Sequence, residues 1–196
     1  MAALGIETTR EQANIILVDA TTLFEPEARD DTALIEGSFD PLADELAPQL
    51  SDGATVVLHG LTPQNIGRWR KLIPPSIELA TSDARHCVRV VQSPWLAGIS
   101  ASDLWWAEYP MWDRNTEKGG LAMAYSVQVK DPESAWRELV APGALVEISV
   151  GDGRLLIDQL LWDKQDVHKE RSGQYAALLV GNLIDSPGDW PQPTIR

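Results

Sequence analysis

Three short apolar runs constrain this chain most. Residues 14–20 read Asn-Ile-Ile-Leu-Val-Asp-Ala, residues 55–60 Thr-Val-Val-Leu-His-Gly and residues 88–92 Val-Arg-Val-Val-Gln. A run this short that closes on polar residues is the pattern of a strand covered on both faces. Helix signals lie between the runs. Asp40-Pro41 supplies an N-cap and a proline at the first helical position, and Leu42, Leu46 and Leu50 then recur at four-residue spacing. Pro48 lacks an N–H, so the pattern predicts an early end or a kink there. Thr62-Pro63 repeats the device, with Ile66, Trp69, Leu72 and Ile73 facing inward and Pro74-Pro75 as the stop. Strand, helix, strand, helix, strand with short links predicts a parallel sheet covered on both sides.

The second half has a different character. Residues 125–130 form a further strand candidate, and Asp131-Pro132 is read as the cap of a short helix carrying Trp136 and Leu139. Residues 145–150 and 154–161 flank Gly151-Asp152-Gly153, the pattern of an antiparallel hairpin. Asp166 opens a closing helix with Tyr175, Leu178, Leu179 and Leu183 on one face; Gly173 and Gly181 each weaken it by roughly 1 kcal/mol against alanine. The division that follows is an extension over residues 1–13, one α/β domain over 14–185 and a proline-rich tail over 186–196.

With 196 residues the chain can bury about 70% of its unfolded surface and needs no covalent staples. Its formal charge of −13 repels phosphate backbones, which argues against nucleic acid as a partner. No apolar run reaches the ~20 residues of a membrane span, and the first residues lack a signal pattern, so a soluble chain without membrane partners is expected. The single cysteine, Cys87, excludes an intrachain disulfide and leaves the compartment open.

The carboxyl ends of parallel strands form the usual cleft of an open sheet. Here they bring forward Asp19, His59 and Ser93, the last two as a base and a nucleophile if their strands are neighbours. Cys87 precedes its strand and reads as a small buried hydrophobe. Gly98-Ile99-Ser100-Ala101-Ser102 approaches a nucleophile elbow but lacks the final glycine and a strand leading into it. Ser100, Ser102 and Asp103 suit local capping of backbone amides better. Gly151-x-Gly153 lacks the third glycine of a phosphate loop. Glu25, Glu27, Asp30, Asp31 and Glu36 match no metal loop, no Cys/His set has zinc spacing, and no cofactor is expected. The tryptophans are the remaining signal. Trp95, Trp105, Trp106 and Trp112 share one segment with Asp103, Glu108 and Asp113. Indoles beside carboxylates serve a core, a protein interface or a sugar platform, and the residue types leave the three open.

At this segment the chain resembles a family. Ser93-Pro-Trp-Leu-Ala-Gly-Ile-Ser-Ala-Ser-Asp-Leu-Trp-Trp106 looks like a stretch in a C-terminal domain of large bacterial glycoside hydrolases related to the family 2 β-galactosidases and β-mannosidases. Gly151-Asp-Gly-Arg-Leu-Leu-Ile-Asp-Gln-Leu-Leu-Trp-Asp163 resembles a later stretch of that domain. Leu178-Leu-Val-Gly-Asn-Leu183 is similar to its closing helix, and Val57-Leu-His-Gly-Leu-Thr-Pro63 also fits. The resemblance covers residues 14–184. It implies a three-layer, flavodoxin-like fold similar to class I glutamine amidotransferases. Active members of that class carry a Gly-x-Cys-x-Gly elbow with His and Glu partners, and this chain has no such elbow, so no catalytic residue carries over. The expectation is a non-catalytic accessory domain whose partners are the other domains of a parent glycoside hydrolase. Alternatives are a carbohydrate-binding module using Trp105, Trp106 and Trp112, a homo-oligomer joined through the same residues, and a small hydrolase centred on His59 and Ser93.

Overall fold

A computed structural model describes residues 14–20, 41–84, 86–101, 103–104, 123–131, 134–160 and 169–185. The first two apolar runs become strands β1 (Ile15–Asp19) and β2 (Thr55–His59), paired in parallel with Asp19 opposite His59. Between them in sequence stands helix α1 (Pro41–Ser51), which buries Ala43, Leu46 and Leu50. Pro48 does not end this helix early. It lies on the exposed side, and its carbonyl accepts the Asp52 N–H at 2.9 Å just past the helix end.

The run after Thr62 folds into turns around a single 3-10 segment, Ile66–Trp69. Thr62 and Asn65 cap each other: Asn65 Oδ1 accepts the Thr62 N–H at 2.7 Å, and Thr62 Oγ1 accepts the Asn65 N–H at 3.2 Å. The segment between Pro63 and Pro74 is too short for an α-helix to hold in isolation, and Gly67 weakens it further. Its apolar residues nevertheless go where the spacing put them, with Ile66, Trp69, Leu72 and Ile73 buried.

Strand β3 (Ile77–Thr81) pairs antiparallel with β5 (Tyr125–Val129) in a two-stranded sheet. The third apolar run yields only β4 (Val88–Arg89), an edge strand antiparallel to β6 (Trp136–Ala141). Residues 136–141 are therefore a strand where a short helix was predicted. The turn at Pro142-Gly143 folds β6 back onto β7 (Leu145–Val150), and the Gly151-Asp152 turn joins β7 to β8 (Gly153–Asp158) as an antiparallel hairpin. Helix α2 (Lys169–Asp185) closes the described chain.

The main sheet has the order β1-β2-β8-β7-β6-β4. Its first three strands are parallel, and the rest alternate in direction. This corrects the expected α/β architecture. The chain is β-rich, with one mixed six-stranded sheet, one small antiparallel sheet and two α-helices among the described residues, and it is not a three-layer flavodoxin-like or amidotransferase-like sandwich. The first and third apolar runs are not neighbours, and β8 from the second half pairs with β2 instead.

Alternation along the central strands makes two apolar clusters, one on each face. Val56, Leu58, Leu155 and Ile157 join α1 and the Trp69–Ile73 turn. Val57, Leu156, Leu145 and Leu139 join Trp95, Leu96 and the Tyr175, Leu179 and Leu183 face of α2.

Candidate functional site

Strand direction decides which polar residues share an end of the main sheet. β4 is antiparallel to β6, β6 to β7 and β7 to β8, so β4 runs opposite to β8 and β2. The carboxyl ends of β2 and β8 therefore lie level with the start of β4. Cys87, just before β4, belongs at that end, where the sequence reading had placed it at the opposite one. Ser93, beyond the end of β4, belongs at the other end, away from His59. The proposed pairing of His59 as base with Ser93 as nucleophile required adjacent strands, and three strands separate β2 from β4.

At the carboxyl end Asp19, His59 and Asp158 stand in register. Asp19 is half-buried and closes β1. Asp158 is 1% exposed and gathers three donors. His59 Nδ1–H donates to its Oδ2 at 3.2 Å, the tautomer a carboxylate acceptor requires. The Leu160 N–H at 3.2 Å and the Tyr175 hydroxyl at 3.4 Å donate to its Oδ1. Burial pushes the Cys87 thiol up to about 12, and the nearby Asp158 charge adds to the rise. Burial, and then Asp158, also raise the Tyr175 hydroxyl well above its usual value. A reactive cysteine needs its thiolate stabilised; here the surroundings hold the proton on sulfur. Asp158 was missed in the sequence. The signal was there: Asp158-Gln159 ends the run Leu155-Leu156-Ile157 as His59-Gly60 ends Val56-Val57-Leu58.

The other end holds a buried ion network. Glu147 is fully buried on β7, accepting from Arg154 Nη1 at 2.7 Å and from Arg137 Nε. The Arg154 guanidinium lies 5.9 Å from the centroid of the Trp95 ring, within cation–π range. Trp95 is 1% exposed, in the turn Pro94–Leu96. Asn182 of α2 donates through Nδ2 to the Trp95 carbonyl at 3.0 Å and to the Ala97 carbonyl at 2.8 Å. Gly98, at φ 73°, lets the chain turn against the Leu178 side chain. Asp103 is buried, and its Oδ2 accepts from the Ser100 N–H at 2.7 Å and the Ser100 hydroxyl at 2.6 Å. It is thus a local cap.

Ser93 is 8% exposed, and its hydroxyl has no hydrogen-bond partner among the described residues. It lines an open pocket of about 590 Å³ with Arg89, Gln92 and Pro94. Trp105, Trp106, Trp112, Ser102, Trp162 and the carboxylates of the acidic loop lie outside the described residues. Among the described residues no cluster of His, Cys, Asp and Glu could hold a metal ion, and no helix is long and apolar enough to cross a membrane.

No family model and no curated protein matches the chain. Among solved structures it is similar to an exo-beta-1,4-mannosidase from Opitutaceae bacterium strain TAV5, a glycoside hydrolase. The two share 14% identity and a TM-score of 0.39 over 74% of this chain and 24% of the mannosidase chain. The chain thus spans about a quarter of that enzyme's length.

Proposed function

We propose that this chain is a non-catalytic accessory domain of a larger carbohydrate-active protein. One observation carries the reading: each of the four stretches that resemble glycoside-hydrolase accessory domains sends a polar or aromatic residue to tie it to another of them. His59 of the β2 stretch bonds Asp158 of the hairpin stretch, Arg154 of the same stretch stacks on Trp95, and Asn182 of the closing helix clamps the Trp95 and Ala97 carbonyls. These residues are structural ties, so the resemblance follows a packing pattern and not a catalytic one. Glycoside hydrolysis usually needs two carboxyl groups ~5–5.5 or ~6.5–9.5 Å apart across a sugar cleft. The carboxyl best placed for such a role, Asp158, faces the core.

The test has two arms. The purified chain is assayed against aryl β-mannosides, aryl β-galactosides, aryl esters and glutamine, with His59→Gln and Ser93→Ala as controls. No turnover is expected; turnover that survives purification and disappears in either variant overturns the reading. The second arm reads the gene upstream of Met1, where continuation into a catalytic barrel is expected. A gene that starts at Met1, together with no barrel protein that binds the chain, sinks the assignment.

A further inference from the structure

We propose that the Arg89–Gln92–Ser93 pocket binds a small ligand bearing a single carboxylate. The pocket lies at the sheet end away from His59 and Asp158, so it stands independently of the accessory role.

The first support is Arg89 itself. Other basic side chains among the described residues are engaged: Lys71 with Asp44, Lys130 with Glu78, Arg137 and Arg154 with Glu147, and Arg70 with the Pro74 and Ile77 carbonyls. Arg89 makes no side-chain ion pair or hydrogen bond with the described residues. In a chain with 29 acidic and 16 basic residues, an unengaged guanidinium is a conspicuous place for an anion. Its planar fork of N–H groups matches a carboxylate in two parallel hydrogen bonds.

Ser93 is the second, independent support. A hydroxyl that is buried and unpartnered costs free energy, and a turn of the Ser93 side chain toward the pocket it lines would let a ligand oxygen satisfy it. Of the residues that line the pocket, Arg89 and Gln92 are exposed, Ser93 is buried, and Pro94, half-buried, brings an apolar ring suited to the carbon body of a ligand. The volume, about 590 Å³, falls within the range of small-molecule sites.

The charge balance selects the ligand. One guanidinium neutralises one negative charge, and a surface at −13 repels a phosphate dianion more strongly than a monoanion. Two sources share the chemistry, a sugar acid and a simple carboxylate such as a peptide terminus.

Calorimetric titration at low salt with sodium glucuronate, sodium acetate, methyl glucoside and inorganic phosphate separates them. Saturable 1:1 binding of a carboxylate is expected, with methyl glucoside inert and phosphate weaker. Glucuronate tighter than acetate assigns a sugar acid, and equal affinities assign the bare carboxylate. Arg89→Gln, at an exposed position, should weaken binding by about tenfold or more, the scale of a lost charge-assisted hydrogen bond. Ser93→Ala should weaken it with the near-ultraviolet spectrum unchanged. The proposal is overturned if neither carboxylate saturates at millimolar concentration, if methyl glucoside or phosphate binds as well as the carboxylates, or if Arg89→Gln binds as tightly as the parent.

Discussion

Asp158 is the residue on which one end of the main sheet depends. It is 1% exposed and accepts from His59, Tyr175 and the Leu160 amide, so removing it strands buried donors inside the core. Asp158→Ala should lower stability by about 2–4 kcal/mol, read from the urea midpoint. An unchanged midpoint would show that the network contributes no net stability. Cys87 supplies a pH test. Its thiol ionises at about 12 when folded against 9.0 for the free group. Between these values the unfolded chain has released a proton that the folded chain retains. Stability is therefore full below 9.0 and falls as pH rises toward 12, with a slope of up to about 1.4 kcal/mol per pH unit from this group. Tyr175 acts in the same direction, beginning at its free value of 10.0. Over the window from 9.0 to 10.0 the slope of stability with pH should be shallower in Cys87→Ala than in the parent. Equal slopes would mean that the thiol is open to solvent.

At the scale of elements, two glycines should respond in opposite senses. A Cβ at Gly153 would overlap the Leu50 carbonyl oxygen and lie 2.5 Å from the Ala54 one, so α1 and the β7–β8 hairpin could not keep their approach. Gly153→Ala should cost about 2 kcal/mol or more, as overpacking against backbone does. Gly181, in α2, has open space around it, and Gly181→Ala should stabilise by up to about 1 kcal/mol. Denaturation midpoints shifting in the same direction for both would contradict this account of the packing. The same elements show what was legible in the sequence. β1, β2, the β7–β8 hairpin and the buried faces of α1 and α2 follow from apolar spacing and turn residues, which are local. Strand neighbours are not local: nothing in residues 88–92 says that only Val88 and Arg89 will pair, at the sheet edge, or that Val88 and Val90 will stay about half exposed. β6 was misread because Asp131-Pro132 looks like a helix cap, while Pro142-Gly143 between two apolar runs was the hairpin signal passed over. β3 was missed although Ile77 and Leu79 alternate with polar residues after Pro74-Pro75. Of the candidate site, Asp19 and His59 were placed at one sheet end by the rule for parallel strands. Ser93 was misplaced because the direction of its strand depends on distant pairings.

Two properties belong to the molecule as a whole. The first is its charge: with a pI of about 4.5, solubility should pass through a minimum near that pH as self-repulsion vanishes. Solubility that stays flat through that pH would mean that charge repulsion does not keep the chains apart. The second is cooperativity. The two apolar clusters lie on opposite faces of one sheet and share β2, β7 and β8: Val56 and Leu58 face one, Val57 the other, and Leu156 points away from Leu155 and Ile157. Neither face can lose its strands without exposing the other, so the clusters should melt together. Leu46→Ala loosens the α1 face and Leu179→Ala the α2 face, and both side chains are almost wholly buried. Each truncation should cost about 2–5 kcal/mol. Trp69 lies in the first cluster and Trp95 in the second, so tryptophan emission reports on both faces, while far-ultraviolet circular dichroism reports on the sheet and helices. In both variants the two signals should shift to the same lower midpoint. A variant in which fluorescence and circular dichroism separate, one moving while the other keeps the parent value, would show that the faces unfold independently and that the shared sheet does not couple them.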